Sequence, residues 1–189
     1  MRVCQIRESE SDAPSAGFPK TLYLLRTALS FGTVPDAAAS FRHCTGLGSY
    51  MKSAGMGPAL VLCSDADAAQ DSLEALWPHL PGPPLLQALD RQVRGGANEL
   101  LTRLRALGED IKSVLLIAHD PALTELALKL SRGYGPRGAR LARDKIYRTF
   151  PDGTLAALKV MKPTWGELGP KSGLLTAVVR PEDFRPVDH

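Results

Sequence analysis

Uninterrupted apolar runs recur along the chain, separated by segments whose apolar residues have helical spacing. The runs TLYLLR (21–26), ALVLCS (59–64) and SVLLIAH (113–119) are typical of strands covered on both faces in a parallel sheet. PPLLQAL (83–89) is a weaker candidate for a fourth strand. Two stripes between the runs predict helices, one formed by Leu73, Leu76, Trp77 and Leu80 and one by Leu100, Leu101, Leu104 and Leu107. This alternation predicts right-handed crossovers and a sheet covered by helices.

The last third of the chain has a different pattern, which predicts strands at one edge of the sheet. YRTFPDGTLAALKV (147–160) has a Pro-Asp-Gly turn between two candidate strands, and GLLTAVVRPEDF (173–184) supplies one more. We expect these strands to be antiparallel edges of a mostly parallel sheet in an α/β fold. The polar, irregular residues 1–18 predict a flexible leader, and residues 19–189 predict a single domain.

Composition and charge exclude several classes of function. A formal net charge of +3 with scattered Lys and Arg residues gives no basic surface for nucleic acid. No apolar run is long enough to span a membrane. The cysteines Cys4, Cys44 and Cys63 have no paired spacing, which argues against a disulfide framework or zinc site and predicts a reducing cytoplasm. Cys63, within an apolar run, is expected to be a buried small residue.

Polar side chains follow three of the predicted strands at their carboxyl ends, where open α/β sheets bind ligands. These strand-end pairs are Arg26-Thr27, Ser64-Asp65 and His119-Asp120. Asp120 is expected to be the N-cap of the next helix and Pro121 its first residue, which places His119 beside the positive helix end. A single histidine or arginine is commonly structural, but their shared placement indicates a candidate anion site.

Stretches in matching order resemble the SixA-like phosphohistidine phosphatases of the histidine phosphatase superfamily. LYLLRTALS is similar to the Leu-Arg-His-Ala end of that family's first strand, and GPALVLCSDADAAQDS to its Leu-Val-Leu-Cys-Ser segment. SVLLIAHDPALTELALKLS resembles the Gly-His-Asn-Pro motif, and FPDGTLAAL, Trp165 and GLLTAVVRPEDF resemble the closing strands. The resemblance spans residues 22–184. It implies a three-layer α/β/α fold of the phosphoglycerate mutase-like type.

The resemblance also implies roles for matching residues. In the family, a histidine after the first arginine attacks phosphorus, while a second histidine and two arginines hold the phosphoryl oxygens. Arg26 matches the first arginine, His119 the second histidine and Ser64 the serine of the middle motif. Thr27 occupies the position of the nucleophile, and Ala68 that of the second arginine. No cofactor is implied, and the implied partner is a phosphorylated protein of a phosphorelay or a small phosphate ester.

The two departures remove chemistry that this mechanism needs. The hydroxyl of Thr27 is a weak nucleophile unless a base takes its proton, and His119 acting as that base would no longer be a cationic clamp. Ala68 lacks the permanent charge that stabilises a transferring phosphoryl group. We therefore expect phosphatase activity to be impaired or lost, with a remaining pocket that binds a phosphorylated partner or phosphate ester.

Other polar residues leave alternatives open. Asp65, Asp67 and Asp71 repel phosphate if they face the pocket, whereas at a solvated helix start Asp65 or Asp67 is a cap. A metal site of Asp65, Asp67 and His119 fits by residue type but has no spacing motif. Candidate substitutes for the missing groups are His43, Arg91 and Arg94, although a half-exposed helix position for His43 and solvated positions for both arginines are the ordinary expectation. The alternative functions are an active hydrolase with a rebuilt site and a non-catalytic interaction scaffold.

Overall fold

The structure, a computed structural model, describes residues 20–27, 34–89, 96–132, 144 and 150–184, without the side chains of 34–41, 182 and 184. The predicted leader, Arg91 and Arg94 lie outside these residues. The division into a leader and one domain therefore stays a prediction. Among the described residues, no helix combines the length and the apolar character needed to cross a membrane.

Strands and helices alternate over most of the described chain. The strands are β1 (Lys20–Arg26), β2 (Leu60–Cys63), β3 (Leu85–Ala88), β4 (Ser113–Ala118), β5 (Leu155–Val160) and β6 (Gly173–Val179). The helices are α1 (Val34–Ser53), α2 (Asp67–Leu76), α3 (Gly96–Arg105) and α4 (Ala122–Leu130), with short 3-10 helices at Trp77–His79 and Pro181–Phe184.

The six described strands form one mixed sheet in the order β3-β2-β4-β1-β5-β6. Parallel pairing joins β3 to β2, β2 to β4 and β4 to β1, whereas β5 is antiparallel to both β1 and β6. The register of the central pair aligns Leu24 with Leu116 and Arg26 with Ala118. The predicted α/β class and mostly parallel sheet with antiparallel closing strands are confirmed.

Helices cover both faces of the sheet because the buried strand residues alternate between two cores. On one face, Leu22 and Leu24 of β1 pack in the core that contains the leucines of α3 and α4. On the other face, Tyr23 and Leu25 belong to the core that contains Cys44 of α1 and the apolar side of α2. The result is the predicted three-layer α/β/α arrangement.

Differences from the expected elements lie at the edges of the sheet. The strand expected over 173–184 ends at Val179, because Pro181 has no N–H for a sheet ladder and begins a 3-10 helix instead. The weak candidate strand is the edge strand β3, whose Leu85 and Leu86 are exposed. Trp77, expected in a core stripe, is also exposed because α2 ends at Leu76.

Candidate functional site

Three of the four predicted site residues follow neighbouring strands at the carboxyl edge of the sheet. The N–H of Thr27 donates to the carbonyl of Ala118 at 3.0 Å, and the N–H of Ser64 donates to that of Ile117 at 3.0 Å. The parallel ladders therefore extend one residue beyond each strand. Continuing the register of β1 with β4 places Thr27 beside His119.

The predicted site residues differ in exposure, and they do not all lie on the same face of the sheet. Thr27 is 6% exposed, Ser64 is half-buried and His119 is exposed. Alternation along β1 and β4 puts Thr27 and His119 on the face of α1 and α2, and Arg26 on the face of α3 and α4. The nucleophile position and the second histidine thus share a face.

The guanidinium of Arg26 is held by two carboxylates. Its Nε lies 2.8 Å from Oδ1 of Asp152, and its Nη1 lies 3.0 Å from Oδ2 of Asp120. Nη1 also donates to the backbone carbonyl of Phe150. One positive charge therefore faces two negative charges at the position matched to a phosphate-binding arginine.

Asp120 reaches Arg26 from the start of α4. Its Oδ1 accepts the N–H of Thr124 at 3.2 Å and the Thr124 hydroxyl at 2.6 Å, which leaves Oδ2 for the guanidinium. The prediction that Asp120 is the N-cap is wrong by one residue, since Pro121 is the N-cap and α4 begins at Ala122. Its carboxylate still satisfies a first-turn N–H, as a capping group does.

Asp152 reaches Arg26 from the predicted Pro-Asp-Gly turn. The N–H of Thr154 donates to the carbonyl of Pro151 at 3.1 Å, and Gly153 has a φ of 76°, which glycine adopts without strain. The N–H of Gly153 contacts the carbonyls of Arg26 and Thr27 at 3.1 and 3.2 Å. The turn is therefore fixed against the end of β1.

His43 also holds this turn. It lies half-buried on α1, in agreement with the ordinary expectation for it, and its Nε2–H donates to the carbonyl of Gly153 at 2.8 Å. A carbonyl can only accept, so this nitrogen carries the proton. The contact makes His43 a support of the segment that carries Asp152.

Ser64 starts the connection into α2. Its Oγ accepts the N–H of Ala66 at 3.4 Å, and its carbonyl accepts Nε2 of Gln70 at 2.6 Å. The prediction that Asp65 or Asp67 is the helix cap is wrong, because the N-cap is Ala66 and Asp67 is the first helical residue. The hydrogen bonds that hold the start of α2 are made instead by the side chains of Ser64 and Gln70.

The three aspartates and the alanine that follow Ser64 lie around the start of α2. Asp65, Asp67 and Asp71 are exposed, in agreement with a solvated helix start, and Ala68 is buried in the first turn of α2. Within the described part of the chain, no three His, Cys, Asp or Glu side chains form a metal-binding group. The hypothesis of a metal site formed by Asp65, Asp67 and His119 therefore has no geometric support.

The two described cysteines are structural. Burial raises the pKa of the Cys44 thiol to about 11 and that of the Cys63 thiol to about 12. Both thiols are protonated near neutral pH and therefore poorly nucleophilic. Cys63 is buried, as predicted.

The sequence reasoning missed the pairing of Arg26 with Asp120 and Asp152. A signal for Asp120 was available, because it follows the strand that neighbours β1 in a parallel sheet. The only signal for Asp152 was the turn itself, since its distance from Arg26 depends on how β5 pairs with β1.

The described fold is of the class in which a helix-covered, mostly parallel sheet presents polar residues at its carboxyl edge. Models of known protein families and the curated protein sequences give no match. The structure is similar to a protein assigned as phosphohistidine phosphatase SixA from Nakamurella multipartitia, at 26% identity and TM-score 0.70, over 89% of this chain and 99% of that one.

Two further solved structures share the fold. One is the protein histidine phosphatase SixA complexed with tungstate, at 18% identity and TM-score 0.66, over 87% of this chain and 99% of the other. The second is phosphoglycerate mutase from Plasmodium falciparum, at 14% identity and TM-score 0.54, over 92% and 99%. The structure is therefore similar to SixA phosphohistidine phosphatases and has the fold of the phosphoglycerate mutase-like histidine phosphatases, as the sequence resemblance implies.

Proposed function

We propose that this protein binds a phosphoryl group at the carboxyl edge of its sheet and hydrolyses it poorly or not at all. One observation carries the proposal: Arg26 lies beside Thr27 at the strand end and is paired with both Asp120 and Asp152. A guanidinium at this edge supports anion binding. The carboxylates and the missing imidazole weigh against turnover.

The chemistry of the departures supports the loss of turnover. Thr27 offers a neutral hydroxyl that is 6% exposed, in place of an imidazole nucleophile. Ala68 leaves the first turn of α2 without the second guanidinium. Two carboxylates beside Arg26 oppose the negative charge of a phosphoryl group in its transition state.

Arg26, Ser64 and His119 are the proposed phosphoryl-binding residues. The ligand class is a phosphorylated protein or a small phosphate ester. The tungstate complex of a SixA protein supports this class, because tungstate is a tetrahedral oxyanion like phosphate.

Calorimetric titration with inorganic phosphate and with tungstate tests the proposal. We expect weak binding that falls at least about tenfold in Arg26→Ala, since the arginine supplies the permanent positive charge. Arg132→Ala is the matched control, because Arg132 is exposed at the far end of α4. Absence of binding, or equal binding in Arg26→Ala, would refute the proposal and favour an interaction scaffold, for which exposed Leu85 and Leu86 of β3 are the supporting feature.

An active hydrolase with a rebuilt site is the second candidate. The neighbouring register of Thr27 and His119 favours it, because a histidine beside a hydroxyl can act as a general base. Turnover of p-nitrophenyl phosphate that is lost in His119→Ala would select this function. Lack of turnover at every pH between about 5 and 9 would reject it.

A further inference from the structure

The hydrogen-bond donors of the Arg26 guanidinium are only partly used. Nε carries one N–H, and each of Nη1 and Nη2 carries two. Nε lies 2.8 Å from Oδ1 of Asp152, while Nη1 lies 3.0 Å from Oδ2 of Asp120 and also donates to the carbonyl of Phe150. Nη2 has no acceptor among the described residues, and the side chain is 26% exposed. Nη2 can therefore donate to a phosphoryl oxygen without breaking an existing contact.

Asp120 is placed to compete for Nη2, because a carboxylate and a guanidinium pair most favourably through two parallel hydrogen bonds. In the structure it makes a single contact with Arg26, through Oδ2. Its other oxygen, Oδ1, accepts the Thr124 hydroxyl at 2.6 Å and the Thr124 N–H at 3.2 Å. The hydroxyl makes the shorter of these two contacts, so the side chain of Thr124 is the main restraint on Oδ1.

We infer that Thr124 is a positioning residue for the candidate phosphoryl site. Its hydroxyl holds Oδ1 of Asp120 toward the start of α4, so that this carboxylate makes one contact with Arg26 and leaves Nη2 to the ligand. Without the hydroxyl, the carboxylate turns about its Cβ–Cγ bond and shares its two oxygens between Nη1 and Nη2. A phosphoryl oxygen then competes with Asp120 for Nη2. This inference rests on the proposed function above.

The surroundings of the guanidinium make rotation of the carboxylate the movement that matters. Arg26 is held from other directions by Asp152 and by the carbonyl of Phe150, so it does not have to follow Asp120. Thr124 lies in the first turn of α4, and its side chain reaches Arg26 only through Asp120. A contact that merely caps α4 affects the stability of the helix, whereas this one also affects anion binding.

Substitutions of Thr124 separate these two roles. Thr124→Val keeps the shape of the side chain without its hydroxyl, and Thr124→Ser keeps the hydroxyl. By calorimetry with inorganic phosphate and with tungstate, we expect Thr124→Val to bind about fivefold more weakly than the natural protein. Thr124→Ala should show the same loss, and Thr124→Ser should bind like the natural protein. Thr102→Val is the matched control with unchanged binding, because it removes an exposed hydroxyl that donates to the carbonyl of Asn98 in α3.

Removal of Asp120 tests whether Thr124 acts through it. In an Asp120→Ala background, Thr124→Val should change binding by less than about twofold, because no carboxylate remains to compete for Nη2. An undiminished loss in that background would overturn the inference.

The remaining outcomes separate this inference from the proposed function. Binding that is lost in Arg26→Ala but unchanged in Thr124→Val and Thr124→Ala would overturn the inference and leave the proposed function intact. A lower Tm with that unchanged binding would identify Thr124 as a cap alone. Absence of phosphate and tungstate binding in the natural protein would overturn both. Circular dichroism of each variant establishes that it is folded.

Discussion

The two ends of strand β1 each carry a cation, and the two cations have different surroundings. Lys20, at the amino end, is 4% exposed and pairs with Glu109 at 2.8 Å, and its ammonium also donates to the carbonyl of Pro163. Arg26, at the carboxyl end, is 26% exposed and faces both Asp120 and Asp152. The amino-end cation is buried and contacts one carboxylate, whereas the carboxyl-end cation is partly exposed and contacts two.

The difference indicates what each end does. Glu109 also accepts the N–H of Trp165 at 3.0 Å, so the Lys20 pair ties the loop after α3 to the loop after β5. Such a pair contributes to stability. At the carboxyl edge, where parallel sheets place ligands, Arg26 is partly exposed and is held by two carboxylates instead of one. The same strand therefore has a structural end and a candidate binding end.

The largest effect is expected when the carboxyl end is rebuilt as a catalyst. Thr27→His with Ala68→Arg should raise turnover of p-nitrophenyl phosphate at least about a hundredfold over the natural protein, because it restores a nucleophile and a second guanidinium. Either change alone should raise turnover little, because Thr27→His still lacks the second guanidinium and Ala68→Arg still lacks the nucleophile. Adding Asp152→Asn should increase turnover further by freeing Arg26.

Initial-rate assays on the single, double and triple variants measure this prediction. The same changes with Arg26→Ala are the control, and they should stay at the background rate. A triple variant that folds and binds phosphate but does not turn over would show that more of the site has been lost than positions 27 and 68.

Substitutions at the two ends of β1 should have different effects on thermal stability, and these effects are smaller than the expected change in turnover. Glu109→Gln should lower Tm by several degrees, because it leaves the Lys20 ammonium buried without a counter-charge. Asp152→Asn should change Tm much less, since Arg26 keeps Asp120 and is partly solvated. Thermal unfolding followed by circular dichroism measures both shifts.

A second change checks the cause of that loss. Lys20→Met in the Glu109→Gln background should recover most of the lost Tm, because an apolar chain of similar length needs no partner. No recovery, or a larger loss in Asp152→Asn than in Glu109→Gln, would contradict the assignment of the structural end.

The sequence predicts the sheet better than it predicts these ion pairs, for a physical reason. A strand covered on both faces must be apolar throughout, so β1, β2 and β4 leave a continuous local signal. The edge strand β3 gives a weaker pattern of apolar residues, because its four residues are exposed and need not be apolar. Residues at the carboxyl ends of neighbouring parallel strands lie at one edge of the sheet, and this topology predicts that Thr27 and His119 lie close together.

Ion pairs leave no comparable signal, because they join segments that are distant in sequence. Glu109 and Asp152 lie in loops whose positions depend on how other strands pair. The apolar run that predicts β1 begins at Thr21, so the pattern does not indicate that Lys20 is buried. The sequence predicts Asp120 at a helix start, but residue spacing alone does not indicate that its second carboxylate oxygen pairs with Arg26.

The smallest expected effect is the pH dependence of the amino-end pair. The hydrogen bond from Lys20, with help from the Trp165 N–H and nearby lysine charges, lowers the pKa of Glu109 below its ordinary value of 4.5, against a smaller effect of desolvation. A carboxylate with a lowered pKa in the folded state stabilises the fold above its unfolded pKa. That contribution is lost as the pH falls through the folded value.

The Tm difference between the natural protein and Glu109→Gln should therefore be full at about pH 7 and close progressively below about pH 4.5. Melting curves at several pH values measure this gap, and Glu74→Gln, on the exposed side of α2, is the matched control. Added salt should narrow the gap at pH 7, because Glu109 is 51% exposed and its charge is screened. A gap that stays constant or widens toward acid would show that the balanced charge of the amino end does not stabilise the fold.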